Sequence, residues 1–216
     1  MVYQLQFFPK EKCVVTGNPI LEKFSKIAVK EKKGKTSVIL VTGGSRGSQT
    51  VNELLQGILE KILSSCKVLH QSGQMDLGKF ERIKESLTPE LGKNYKVFAN
   101  IGPDKMTDYL ISSDIVVARA GANTVSEIIA AKKLSILIPI PFSYEDEQTK
   151  NALYAEKLGL SKILSQSEAT PQRLLSEIEY LLSNWEKLSE SIKDVKSPDE
   201  GASGRVVETL MEVTAK

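Results

Sequence analysis

Short apolar runs alternate with segments of helical periodicity over most of the chain, from residue 36 onward. The apolar runs lack polar alternation and predict buried strands at 38–42, 66–70, 95–99, 115–118, 135–140 and 162–164. Helical spacing of the apolar residues between and after them predicts helices at about 49–63, 80–87, 105–112, 124–131, 148–158, 171–185 and 204–213. Apolar strands that are each followed by a helix predict an α/β fold, a doubly wound, Rossmann-like parallel sheet covered on both faces.

The first part of the chain does not share this alternation. Residues 13–16 are strand-like and residues 17–19 predict a turn, but the segment offers no partner elements for a domain of its own. We therefore interpret residues 1–34 as a connector from an absent N-terminal domain. Residues 35–200 are predicted to form the Rossmann-like domain, and residues 201–216 a C-terminal helix.

The composition narrows the classes of function. The chain has 216 residues, of which 41% are hydrophobic and 26% are charged, and its formal net charge is +2. So small a basic excess argues against a nucleic acid as partner. The lysine-rich stretch at 26–35 is either a solvated linker or a contact with an anionic membrane surface.

Cysteine usage and the lack of targeting signals indicate a cytoplasmic protein. Cys13 and Cys66 are too few for a disulfide scaffold or a zinc site, and their apolar neighbours predict that both are small core residues. Residues 2–8 lack a signal-peptide pattern, and no apolar stretch is long enough to span a bilayer. Any membrane contact is therefore expected to be peripheral.

The most informative stretch is the junction at residues 118–127, where small residues connect a strand to a helix. A helix N-terminus presents unpaired N–H groups and the positive end of its dipole, which suits a phosphate. Glu127 lies in the first turn, where it either accepts from ribose hydroxyls or complements the dipole. The glycine-rich loop at 43–48, with the hydroxyl of Ser45, follows another strand and is expected at the same edge. Together these features predict a nucleotide-diphosphate ligand.

Three further motifs leave alternatives open. The turn at 101–106 either offers backbone groups to a base or is a plain loop. Gln148 and Asn151 share a helical face and can recognise sugar hydroxyls, whereas the acidic residues 145–147 either bind a metal or favour a helix start. His70, the only histidine, is either a base or a hydrogen-bonded structural residue.

Six motifs, taken together and in order, resemble the MurG family of N-acetylglucosaminyltransferases, which convert lipid I to lipid II in peptidoglycan synthesis. They lie at 15–19, 43–45, 70–73, 119–127, 139–141 and 148–152. The resemblance implies that the chain is the C-terminal, donor-binding half of a GT-B glycosyltransferase, in which two Rossmann-like domains face a cleft. It also implies UDP-GlcNAc as the ligand of residues 35–200, with no cofactor and no metal.

The resemblance further implies which residues bind the donor. The implied contacts are Ser45, Ala122, Asn123 and Thr124 with the diphosphate, Ile101 with uracil through its backbone, Glu127 with ribose, and Gln148 and Asn151 with the GlcNAc hydroxyls. Val125 and Ser126 complete the implied substrate-binding stretch. The catalytic base is expected in the absent domain, so no catalytic residue is identified here.

The sequence also departs from the family pattern. Leu21 stands where the family usually has an arginine near the phosphates, which weakens diphosphate binding unless Arg46 or another cation compensates.

Undecaprenyl-linked lipid I is expected to bind through the absent N-terminal domain, with the full-length protein peripheral on the cytoplasmic face of the inner membrane. Two alternatives stay open: the donor subunit of a split glycosyltransferase, and a non-catalytic nucleotide-sugar-binding module.

Overall fold

The protein is a single parallel sheet with helices on both faces. The computed structural model describes residues 8–31 and 33–215; residues 1–7, in which a signal-peptide pattern is lacking, lie outside it with Lys32 and Lys216. Six strands pair in the order β3-β2-β1-β4-β5-β6. They are β1 (Ser37–Thr42), β2 (Cys66–Gln71), β3 (Tyr95–Phe98), β4 (Ile115–Ala118), β5 (Leu134–Leu137) and β6 (Ser161–Ile163). The predicted doubly wound, Rossmann-like fold is therefore confirmed.

The strand order creates a crevice between β1 and β4. The chain winds outward through β1, β2 and β3, then returns across β1 to begin β4. In register, Thr42 pairs with both Gln71 and Ala118, so the loops after β1, β2 and β4 leave the sheet at one edge. Ligands of doubly wound sheets bind at this reversal point, beyond the carboxyl ends of the strands.

Eleven helices lie among the described residues. They are α1 (Glu22–Ser25), α2 (Gln49–Gln56), α3 (Leu59–Leu63), α4 (Leu77–Ser86), α5 (Pro89–Gly92), α6 (Pro103–Ser112), α7 (Ala122–Ala130), α8 (Glu147–Lys157), α9 (Pro171–Ser183), α10 (Trp185–Ile192) and α11 (Ala202–Thr214). Two short 3₁₀ turns are added at Lys10–Lys12 and Tyr144–Asp146. None of these helices is long and apolar enough to cross a membrane.

Two predicted helices are each broken in two by tertiary packing. The helix expected at 49–63 breaks at Gly57, where a Cβ atom would lie only 2.6 Å from Cγ of Pro171 at the start of α9. The helix expected at 171–185 ends at Ser183, and α10 begins at Trp185, whose indole N–H donates to the Asp114 carbonyl 3.0 Å away. Both breaks serve contacts with distant parts of the chain, which local periodicity does not report.

The segment before β1 differs from its prediction. Residues 13–16 form no strand and do not join the sheet, so the apolar side chains of Val14 and Val15 are 64% and 55% exposed. The prediction that Cys13 is a core residue is wrong for the same reason, since this thiol is exposed, whereas Cys66 is buried as predicted.

The later part of the same segment packs onto the domain. Phe24 of α1 and the nearby Ile27 are buried in the core. Two residues of the lysine-rich stretch are also fixed: Lys30 forms an ion pair with Asp114 at 2.8 Å, and Lys33 donates to the Leu182 carbonyl at 2.6 Å. These contacts hold the stretch against the domain, which a freely solvated linker would not do.

Candidate functional site

A cavity of about 510 Å³ lies at the carboxyl ends of β1 and β4, where the fold places a ligand site. Six of the predicted site residues line it: Ser45, Ile101, Ala122, Asn123, Thr124 and Glu127. The remaining lining residues are Thr42, Gly44, Gln71, Asn100, Pro103, Met106 and Gly121. Residues from the loops after β1, β3 and β4 thus meet in one crevice with the ends of β1 and β2.

The N-terminus of α7 forms one wall of the cavity and is built to receive an anion. Its N-cap is Gly121, which has no side chain to bond the N–H groups of the first turn. The first helical hydrogen bond runs from the Val125 N–H to the Gly121 carbonyl at 3.0 Å. The N–H groups of Ala122, Asn123 and Thr124 therefore have no helical acceptor, and they sit at the positive end of the dipole.

Glu127 is a carboxylate on the same wall; it lies in the second turn of α7 and not in the first turn as predicted, because the helix begins at Ala122. Its side chain is half-buried and has no hydrogen-bond or ion-pair partner among residues 8–31 and 33–215. Burial raises the pKa of Glu127 to about 7, because removal from water disfavours the charged form. An unpaired carboxylate of this kind is suited to accept hydrogen bonds from a ligand that brings two neighbouring hydroxyls.

A hydrogen-bond network fixes the floor of the cavity. The Gln71 amide donates to the Gly44 carbonyl at 3.0 Å and to Oδ1 of Asn100 at 3.1 Å. The hydroxyl of Thr42 accepts from the Gly44 N–H at 3.0 Å. The ends of three adjacent strands are thereby joined to the glycine-rich loop, so that loop has a fixed position before any ligand binds.

Sequence reasoning missed Thr42, Gln71 and Asn100 as cavity residues. A signal was present: Thr42 and Gln71 are polar residues at the carboxyl ends of two predicted strands, and Asn100 follows β3 closely. A polar residue at the carboxyl end of a buried parallel strand points to the ligand edge of the sheet.

A buried cation lies beside the cavity, on the segment that leads into α7. Arg119 is only 8% exposed and donates to Oγ of Ser48 at 2.8 Å and to the Ile138 carbonyl at 3.1 Å. Burial lowers the pKa of Arg119, and no carboxylate pairs with it in the described part of the chain. Since arginine keeps its charge in proteins, this guanidinium adds positive potential near the α7 N-terminus.

Four predicted site residues do not line the cavity. Val125 is fully buried in the core, and Ser126 is 2% exposed. Gln148 accepts from the Ile140 N–H at 3.1 Å through its side-chain oxygen. Asn151 is fully buried and donates to the Ala120 carbonyl at 2.9 Å, next to the turn before α7. Ligand contact by these four residues stays a prediction.

Neither Leu21 nor Arg46 lines the cavity, and the same holds for the acidic residues before α8. Leu21 is 49% exposed, and Arg46 is exposed at the tip of the glycine-rich loop. Glu145 and Asp146 are exposed, with backbone φ angles of 49° and 53°. Within the described ranges, no three histidine, cysteine or carboxylate side chains lie close enough together to hold a metal ion.

His70 is a structural residue in this fold. It is fully buried, with Nδ1 2.8 Å from the Tyr95 hydroxyl and Nε2 3.0 Å from Oδ1 of Asn52. The Asn52 amide in turn donates to the Ser72 carbonyl at 2.8 Å, so its oxygen faces the histidine and Nε2 carries the proton. Burial lowers the pKa of His70 to about 3, which keeps the ring neutral. Of the two alternatives, the hydrogen-bonded structural histidine is therefore the one observed.

The neutral, buried His70 predicts a pH-dependent stability. The unfolded chain protonates this ring near pH 6.5, whereas the folded protein does so only near pH 3. Unfolding therefore takes up a proton between these values, and the free energy of unfolding falls as the pH is lowered. From this group, wild type should lose on the order of 2 kcal/mol between pH 7 and pH 5 relative to His70→Gln, measured as the difference between their urea-unfolding profiles, because ionisation of Glu127 acts in the opposite direction over the same range. His70→Gln should lack this component, and Tyr95→Phe, which keeps the ring, should retain it. Identical pH profiles for wild type and His70→Gln would contradict the assignment.

Comparison with known proteins agrees with this geometry. Residues 38–205 match the glycosyltransferase family 28 C-terminal domain. A UDP-N-acetylglucosamine–N-acetylmuramyl-(pentapeptide) pyrophosphoryl-undecaprenol N-acetylglucosamine transferase from Solibacter usitatus is 32% identical, covering 96% of this chain and 56% of the relative. The transferase of the same name from Aquifex aeolicus is 31% identical, covering 97% of this chain and 59% of the relative. The chain thus spans little more than half the length of these relatives.

Two solved structures share the fold of this chain. The crystal structure of Acinetobacter baumannii MurG superposes with a TM-score of 0.71 at 26% identity, over 96% of this chain and 58% of that one. A Staphylococcus aureus MnaA–UDP structure has a TM-score of 0.63 at 12% identity, over 97% of this chain and 56% of that one, which shows a shared fold alone. From the matched residues and the MurG-like fold, we conclude that this chain belongs to glycosyltransferase family 28 and contains that family's C-terminal domain.

Proposed function

We propose that the chain binds UDP-GlcNAc in the cavity between β1 and β4, as the donor half of an enzyme that converts lipid I to lipid II. One observation carries this proposal: the uncapped N-terminus of α7 and the unpaired carboxylate of Glu127 line the same cavity. The first suits a diphosphate and the second suits a ribose diol, and a nucleotide sugar contains both.

The cavity suggests a placement for each part of the donor. The diphosphate would lie at the N–H groups of Ala122, Asn123 and Thr124, within reach of the Ser45 hydroxyl. Its negative charge would be favoured by the helix dipole and by the buried cation of Arg119, which offers compensation for Leu21. The uracil would lie against Ile101, and the sugar would extend toward α8, where Gln148 lies.

The chemistry proposed for the complete enzyme is inverting transfer. The 4-hydroxyl of the acceptor attacks the anomeric carbon, the bond from that carbon to the diphosphate breaks, and UDP leaves. The α7 N-terminus would stabilise the charge that develops on the departing diphosphate. A base must take the hydroxyl proton. His70 is fully buried and burial lowers its pKa to about 3, so it neither reaches the acceptor nor holds a proton at neutral pH, and we propose that the base belongs to the acceptor domain of the complete enzyme.

Apolar side chains exposed on α11 and before α1 support the proposal that a second domain packs against this one. Val207, Leu210 and Met211 of α11 are between 54% and 66% exposed, and Val14 and Val15 are exposed as well. We infer that residues 1–34 connect to an acceptor domain and that residues 201–216 extend from the donor domain toward it. Lipid I and a peripheral contact with the cytoplasmic face of the inner membrane would then belong to the complete protein.

Titration calorimetry tests the proposal. The purified chain should bind UDP and UDP-GlcNAc, because both carry the diphosphate and ribose that α7 would recognise, and it should bind UDP-GalNAc more weakly than UDP-GlcNAc. The chain alone should not convert lipid I. Absence of heat with all three nucleotides would refute the donor site, and robust turnover of lipid I would refute the need for an acceptor domain.

A further inference from the structure

The segment before α1 reaches directly into the wall of the cavity through Asn18. The side-chain amide of Asn18 donates to Oδ1 of Asn123 at 3.0 Å and to Oγ of Ser126 at 3.1 Å. Asn123 lines the cavity, and Ser126 lies in the next turn of α7. A residue 105 positions away along the chain therefore contacts the first turn of the helix that faces the ligand.

Hydrogen bonds from residues just before α11 and in its first turns hold the Asn18 segment in place. The Asn18 backbone N–H donates to Oδ1 of Asp199 at 2.8 Å. Arg205 donates to the Thr16 carbonyl at 2.8 Å and to the Pro198 carbonyl at 2.9 Å. Gly17, with a φ of +81°, leaves no free space at this junction, since a Cβ atom there would lie 3.1 Å from Arg205, Asp199 and Pro198. The position of the Asn18 amide is therefore fixed before a ligand arrives.

This contact decides which end of the Asn123 amide is free. An asparagine side chain has one acceptor oxygen and one donor NH₂ group. The oxygen of Asn123 is taken by Asn18, and its NH₂ group has no acceptor in the part of the chain that the structure describes. Asn123 thus keeps its donor end for a ligand, which is the end that an anionic oxygen requires.

The contact between the two amides contributes little to folding stability. Asn123 is exposed, and a hydrogen bond open to water exchanges with protein–water bonds of similar strength. Losing a hydrogen-bond partner destabilises a protein strongly only where the remaining group is deeply buried, and the Asn18–Asn123 bond is exposed. The consequence of the contact is therefore orientation of Asn123 in the cavity wall.

We propose that Asn18 is a positioning residue of the donor site: it orients the Asn123 amide toward the diphosphate and links occupancy of the cavity to the segment at residues 16–18. This inference rests on the proposed function, because it takes UDP as the ligand. Coupling of this kind is reciprocal, so bound UDP should in turn hold Asn18 more firmly.

A double-mutant cycle with UDP as the probe tests this role. Asn18→Ala should weaken UDP binding about 5- to 10-fold, the effect of about one oriented hydrogen bond. In an Asn123→Ala background the same change should have no further effect, because Asn18 acts through Asn123. Thr16→Ala is the matched control: among the described residues its hydroxyl bonds only the neighbouring Gly17 carbonyl, and alanine keeps the backbone carbonyl that accepts from Arg205, so UDP affinity should stay unchanged.

The outcomes separate this inference from the proposed function. If wild type does not bind UDP, the donor site itself is refuted and Asn18 has no such role. If wild type binds and Asn18→Ala binds equally well, or if the loss is the same in both backgrounds, only the positioning role is refuted. Asn18→Ser, a residue tolerated in turns, repeats the test if the alanine variant is unstable. Hydrogen exchange at residues 16–18 should slow on UDP binding in wild type and not in Asn18→Ala.

Discussion

Replacing Glu127 with glutamine is expected to weaken binding of UDP and UDP-GlcNAc by roughly 10- to 100-fold. In the proposed complex, the carboxylate accepts hydrogen bonds from both ribose hydroxyls, and hydrogen bonds to a charged group contribute about 1.5–3 kcal/mol. Glutamine keeps the size of the side chain and one oxygen, but it loses the charge. Calorimetric titration of the two nucleotides measures the change directly.

The same replacement should make the unliganded protein more stable. Burial raises the pKa of Glu127 from 4.5 to about 7, so the folded protein holds this proton more tightly than the unfolded chain. The free energy of unfolding therefore falls as the pH rises from about 4.5 to about 7, and it stays lowered above that range. Glu127→Gln removes this cost, and urea unfolding at pH 8 should show a gain of about 3 kcal/mol.

Opposite effects on stability and binding distinguish a ligand-binding carboxylate from a structural one. A carboxylate that served only the helix would lower stability when replaced, since its favourable interaction with the dipole would be lost. Glu156, exposed on α8, provides a matched control, because Glu156→Gln should change neither property. Lower stability combined with unchanged UDP affinity in Glu127→Gln would overturn the ribose assignment.

The pH dependence of binding gives a second test of Glu127. Ribose hydroxyls donate to the ionised carboxylate, so the donor should bind better as the pH rises through about 7. UDP-GlcNAc is the better probe than UDP, because its diphosphate is esterified at both ends and does not titrate in this range. Glu127→Gln should bind with an affinity that is flat over the same pH range.

The sheet was predictable from the sequence because its central strands are buried on both faces. A strand such as β4, Ile115–Ala118, is apolar at every position, and this pattern needs no knowledge of its neighbours. Helix limits were less predictable, because the break at Gly57 depends on Pro171, which is distant in the chain. The thiol of Cys13 was misplaced for a related reason: apolar neighbours predict burial only where another element covers them.

The site was predictable to the extent that it follows from topology. Strand ends that meet at one edge bring Ser45, Ile101 and Glu127 together whatever the detailed packing. Orientation was not predictable, since helical spacing places Gln148 and Asn151 on one face without showing what covers that face. In the structure Asn151 is fully buried against the Ala120 carbonyl. The role of Asn18 depends on a contact across 105 positions and has no local signal.

The glycine-rich loop owes its position to a close approach of two backbones. Gly47 and Gly73 have φ angles of +77° and +84°, a region that favours glycine. A Cβ atom on Gly47 would lie 2.2 Å from the Ser72 carbonyl oxygen, and one on Gly73 would lie 2.4 Å from the Arg46 carbonyl oxygen. Backbone atoms cannot move aside as flexible side chains do, so the two loops can meet only at glycines.

Gly47→Ala is therefore expected to cost on the order of 4 kcal/mol or more of the free energy of unfolding, a large part of the stability of a typical domain. Gly44→Ala is the matched control: Gly44 has a similar φ of +83°, but a Cβ atom there meets nothing within 4 Å. It should show only the cost of the left-handed backbone, about 1–2 kcal/mol. Urea unfolding of both variants separates the close approach from the backbone conformation.

The same pair of variants connects the loop to the proposed site. Molecules of Gly47→Ala that still fold must move the 43–48 loop away from Ser72, which displaces Ser45 from the cavity and breaks the bond from Gln71 to the Gly44 carbonyl. UDP affinity should then fall by roughly 10-fold or more, as expected for a polar contact and its supporting network. Equal stability of the two alanine variants, or full UDP affinity in Gly47→Ala, would show that the loop is not held by this backbone contact.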